Sequence, residues 1–146
     1  MAQAQRAAVR TTSPLQKVAG AVGAVFLLIG VLGFVPGITS RLGDLSFAGH
    51  ESNAELLGLF QVSVLHNVVH LLFGVGLIAA KRFDHSKLFL IGGGITYLAL
   101  TAFGFVIDLG SKVNFVPVNT ADNFLHLGLG VAMVGLGVAL SRDAAN

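Results

Sequence analysis

The chain has 146 residues, 54% of them apolar and only 11% charged, with a formal net charge of +2 at pH 7. An ordinary soluble domain carries roughly 25% charged residues, so the composition excludes a water-solvated globule and points to lipid as the solvent. With no cysteine in the chain, disulfides, thiolate metal sites and catalytic thiols are excluded, and the few basic residues form no patch of the kind that nucleic acid requires.

Residues 1–13, rich in Ala, Gln, Arg and Thr, read as a flexible tail ahead of a single four-span domain over 14–146. The opening MAQAQRAAVRTTSPLQK carries Arg6, Arg10 and Lys17 and no acid, as the start of a secretory signal would. The apolar stretch behind it is too long for a signal core of about 7 to 15 residues and is followed by no Ala-x-Ala site, so it reads as an uncleaved first span. Four charge-free stretches, Val18 to Ser40, Leu56 to Ala80, Leu88 to Ile107 and Asn123 to Ser141, each run 19 residues or more. A helix of about 20 residues crosses a hydrocarbon core of about 30 Å, and only helices or closed barrels leave no backbone group unpaired in lipid. The expected fold is therefore all-α, an integral membrane four-helix bundle with spans near 16–36, 57–80, 87–107 and 122–141.

Orientation follows from the cations. Arg6, Arg10 and Lys17, then Lys81, Arg82 and Lys87, then Arg142 place seven on one side, against Arg41 and Lys112 on the other. The positive-inside tendency puts both termini in the cytoplasm and loops 36–56 and 108–121 outside a plasma membrane.

The two halves repeat a pattern. GVLGF at 30–34 is followed by NVVHLLFG at 67–74, and TAFGF at 101–105 by NFLHLGLG at 123–130. The Gly-Phe pairs are 71 residues apart and the Asn-x-x-His motifs 56 apart, so the bundle reads as two tandem two-helix hairpins with a longer first outer loop. Such a repeat is parallel, related by an axis along the membrane normal. Glycines at Gly128 and Gly135, at Gly130 and Gly137, at Gly20 beside Ala24 and at Gly92 to Gly94 suit close helix approach, which replaces the hydrophobic drive that lipid does not supply.

Polar residues at membrane depth are costly and face the interior with partners. On the second span His66 and His70 lie about 40° apart around the helix, and on the fourth Asn123 and His126 share a face. One reading is an interhelical hydrogen-bond cluster of Gln61, His66, Asn67, His70, Asn123 and His126, with no cofactor. A second is a haem b held by His70 and His126, or a divalent metal held by His66, His70 and His126. A third is a small transport or proton-linked role, although no span is broken by proline and none contains an acid. HNVVH has Asn67 where the metalloprotease His-Glu-x-x-His motif needs its glutamate, and no nucleophile–base pair or phosphate-cradling loop is present, so no enzyme is expected. Asp122 reads as a helix-start acid.

The segment LHNVVHLLFGVGLI, together with the Gly-rich four-span plan and the second NFLHLGLGV, resembles the bacterial membrane family catalogued as domain of unknown function 4383, common in actinobacteria. The resemblance covers roughly residues 14 to 141 and implies location and architecture, with no catalytic residues to transfer. The expected function is that of a non-enzymatic structural or partner-binding membrane component, its partners being lipid and another membrane protein or itself.

Overall fold

The computed structural model describes residues 12–80 and 82–142. The expected tail falls almost wholly outside these residues, as do Arg6, Arg10 and Lys81 of the orientation argument. Four helices, α1 (Pro14–Leu32), α2 (Val64–Ala79), α3 (Phe83–Val106) and α4 (Thr120–Arg142), carry a small cap at one end, where strands β1 (Thr39–Ser40), β2 (Glu55–Leu56) and β3 (Phe60–Gln61) form an antiparallel sheet in that order.

Each helix begins and ends for a local reason. Ser13 and Gln16 form a reciprocal capping box, and Pro14 sits where its missing N–H costs nothing. The first span was expected to reach residue 36, but α1 ends at Leu32. Pro36 disfavours helical backbone at the residue before it, and the Thr39 hydroxyl donates to the Leu32 carbonyl at 2.8 Å, satisfying a helix-end acceptor. The second span, expected over 57–80, is helical only from Val64, because the Ser63 side chain caps the helix by accepting from His66 N. Residues 57–63 instead turn through Leu57 and Gly58, both at positive φ, into β3. At 16 residues α2 is about 24 Å long, whereas α1, α3 and α4 are each long and apolar enough to cross a membrane.

α1 packs along α2 and α3 along α4. A β-carbon placed on Gly23 meets the Gly74 carbonyl oxygen at 2.9 Å, and one on Gly94 meets that of Gly130 at 2.9 Å. Gly33 lies against the amide of Asn67, and Gly104 against that of Asn123. Of the glycine stripes expected on the fourth span, Gly130 and Gly137 pack on α3, while Gly128 and Gly135 have open space before them, as has Gly20 on α1. Leu15, Ala19, Phe26, Leu77, Leu90, Tyr97 and Met133 form the central core, and Ala54, Leu56 and Val62 a smaller one beneath the cap. Outward faces are apolar: Leu28, Leu72, Val75, Ile95 and Val131 are all more than half exposed, the reverse of a water-soluble surface pattern.

Glycine-to-alanine changes should therefore divide by position. Gly23→Ala and Gly94→Ala force a methyl into backbone and should each destabilise by about 1–3 kcal/mol, read as loss of folded fraction in a detergent denaturation series. Gly20→Ala and Gly128→Ala should match the parent chain.

Candidate functional site

All four helices contribute a ring to one cluster beneath the cap. His66 and His70, one turn apart on α2, have ring centroids 4.5 Å apart, and His126 of α4 lies 6.4 Å from His66. Tyr97 of α3 stands 4.9 Å from His126, and its hydroxyl is 3.3 Å from His70 Nε2. Phe26 of α1 stacks on His70 at 5.1 Å. The histidines are 8%, 6% and 2% exposed in chain order, yet Nδ1 of each lacks a hydrogen-bond partner, a state that buried polar atoms rarely tolerate.

The cluster's height is set by the helix starts. His66 is the third residue of α2 and His126 the seventh of α4, so these imidazoles lie within about 10 Å of the helix ends, under the cap and well short of the far end of the bundle.

The cap is bonded to the bundle through Asp122. Asn119 and Asp122 form a reciprocal capping box at the start of α4: Asn119 Oδ1 accepts from Asp122 N at 2.9 Å and Asp122 Oδ2 from Asn119 N at 3.0 Å. The same Oδ2 accepts from Gln61 N of β3 at 3.0 Å. Two further bonds join the outer segments: Gly49 N donates to the Phe115 carbonyl at 2.8 Å, and Asn119 Nδ2 to the Leu59 carbonyl at 2.8 Å. The expected helix-start role of Asp122 is thus present, with a cross-link to the first outer segment added.

Of the six residues expected as one polar cluster, His66, His70 and His126 come together. Asn67 and Asn123 each turn toward a glycine of their own hairpin, Gly33 and Gly104, while Asn67 Nδ2 and Asn123 Oδ1 remain unpartnered. Gln61 belongs to the cap, where its side chain donates to the carbonyls of His50 and Ser52 at 3.1 and 2.7 Å. Tyr97 and Phe26 were missed as site residues. They stand 71 residues apart, the separation of the Gly-Phe pairs, which is the signal that would have found them.

Among the described residues no group of three His, Cys, Asp or Glu side chains is placed to hold an ion. His70 Nε2, an atom that would ligate a haem iron, is engaged by the Tyr97 hydroxyl. A cavity of about 290 Å³ borders the cluster, with His66, His70, Tyr97 and His126 at its polar end and Leu65, Val69, Leu100, Phe115 and Val116 around the rest. A second space of about 180 Å³ lies on the opposite side, toward Ile29, Phe60 and Leu129.

Residues 16–139 match the model of the family described as Domain of unknown function (DUF4383). No curated protein and no solved structure matches the chain. The match spans most of the chain, which belongs to that family, as the Asn-x-x-His pair implied.

Asp122→Ala should remove the acceptor shared by Gln61 N and Asn119 N. Leaving buried N–H groups unpaired costs about 1–3 kcal/mol each, so the variant should unfold at lower denaturant and exchange the Gln61 amide faster. Unchanged exchange at Gln61 would refute the cross-link.

Proposed function

We propose that this DUF4383 protein is a non-enzymatic, multi-pass component of the plasma membrane, structural or partner-binding in role, with both termini cytoplasmic and the cap outside. One observation carries the non-enzymatic part. Among the described residues, every buried Ser, Thr and Asp side chain is bonded to main chain: Thr39, Ser52, Ser63, Ser86, Thr101 and Asp122 hold loops and helix ends together. Groups engaged in this way are braces, so none of these side chains is left free to act as a nucleophile.

An internal duplication belongs to the same reading. What supports it is that the offsets found in the sequence also pair contacts: Gly23 on Gly74 with Gly94 on Gly130, and Gly33 on Asn67 with Gly104 on Asn123. The helix-start residues Ser63 and Asn119 are 56 apart, as are His70 and His126. With α2, about 24 Å long, as the fourth crossing, each hairpin enters and leaves on one side. Lipid covers the outward apolar faces, and a second membrane protein or another copy of the chain is the expected partner within the bilayer.

Two experiments test this. The chain has no cysteine, so Glu51→Cys and His85→Cys each provide a single thiol; in intact cells an impermeant maleimide should label position 51 and leave position 85 unlabelled, and the opposite result would invert the topology. Purified protein should be colourless and metal-free, with His70→Ala/His126→Ala lowering heat stability alone. A Soret band or stoichiometric metal lost in that variant would replace the structural reading with a cofactor one.

A further inference from the structure

The first hairpin meets the second mainly through α1, against α3 and α4, while α2 and α3 touch sparingly. Along that seam the 290 Å³ cavity under Phe115 is continued by a further space of about 160 Å³, which shares Val69, His70, Tyr97 and Leu100 and runs on to Phe73 and Gly93. The result is an elongated groove with a polar end and an apolar run. Its mouth is bordered by Val69, 52% exposed, and beside it Leu72 and Val75 form the outward apolar face of α2. On the membrane reading above, on which this inference rests, the groove opens sideways into lipid.

We infer that this groove binds a lipid-soluble molecule with a flat, oxygen-bearing head, of the quinone or phenol class, with its head beneath Phe115 against His66, His70, Tyr97 and His126 and its tail along Val69 and Phe73. The head's flatness follows from the walls: Tyr97, His126 and Phe115 present rings, which favour stacking with another ring. Its oxygens follow from the polar end, where imidazoles and a phenol both donate and accept. A tail follows from the apolar run and from the lateral opening. The space is that of a small-ligand site, mostly apolar with a few convergent polar groups.

The chain itself supplies the reporter. It has no tryptophan and a single tyrosine, Tyr97, so tyrosine emission comes from the groove alone. Titration of a decyl benzoquinone into the detergent-solubilised full chain should quench that emission with a saturable component. Val69→Phe, which fills the groove from its exposed rim, should abolish saturation while circular dichroism stays unchanged, and Val68→Phe, on a neighbouring position outside the groove, should leave it intact. His126→Leu should weaken it about ten-fold, the worth of one hydrogen bond to the head. Quenching that only rises linearly with quinone, or saturates equally in Val69→Phe, overturns the site. Equal displacement of the quinone by decanol overturns the flat head. The thiol-labelling experiment decides the membrane topology separately, so a failed titration with correct labelling rejects the groove and leaves the membrane reading standing.

Discussion

Backbone approaching backbone at glycine is the constraint on which this structure depends. In lipid, helices gain nothing by hiding apolar side chains from one another, and the outward faces of α1, α2, α3 and α4 are as apolar as their core. What differs between the two surfaces is closeness. Gly23 and Gly74 let α1 and α2 meet carbonyl to Cα, and Gly94 and Gly130 do the same for α3 and α4, gaining the many short dispersion contacts that association requires. With the helices this near, side chains at the next contact up must be flat or absent, and there Asn67 fits over Gly33 and Asn123 over Gly104.

Tight hairpins leave the space between hairpins to be filled by something larger, and the rings fill it. Phe26, His66, His70, Tyr97 and His126 meet where the four helices face one another. The cap closes that space from one end through Asp122, whose single oxygen accepts from the β3 backbone and from the start of α4. Removing that acceptor would loosen the cap on α4, leaving the Asn119–Leu59 and Gly49–Phe115 bonds, without altering a glycine contact, so packing of the hairpins and closure over the rings are separable.

How much of this was legible in the sequence follows the range of the interactions involved. Charge-free length is a property of a continuous segment, so the helices and the apolar exteriors could be read directly. The convergence of His66, His70 and His126 could be read because helical period and the repeated Asn-x-x-His motif act over one turn. The split of residues 57–63 from α2 could not: those residues are as apolar as a span, and only pairing with Thr39 and Ser40 by way of β2 makes them sheet. Nor could composition tell Gly130 and Gly137 from Gly128 and Gly135, since both pairs recur at seven residues and only the rotation of α4 against α3 decides which meets a neighbour. Asn67 and Asn123 each stand three residues before a histidine and share much of its helix face, and only the packing of each hairpin, which sets Gly33 and Gly104 against them, decides which partner they meet.

If the hairpins descend from one, the positions that match and those that differ sort by depth in the structure. The Gly23–Gly74 and Gly33–Asn67 contacts recur with the same residues as Gly94–Gly130 and Gly104–Asn123, and His70 recurs as His126. The rest of the ring cluster and its rim differs: Phe26 stands opposite Tyr97, His66 opposite Asp122, and Ser63 opposite Asn119 at the given offsets. A symmetric cluster would carry two phenylalanines or two tyrosines, and two histidines or two carboxylates in the first helical turns. Instead one half supplies an extra imidazole, and the other a phenol and an acid that binds the cap. Departures occur at packing positions as well, Gly30 standing opposite Thr101 and Gly76 opposite Ala132, and those in the ring cluster give the space between the hairpins two unlike walls.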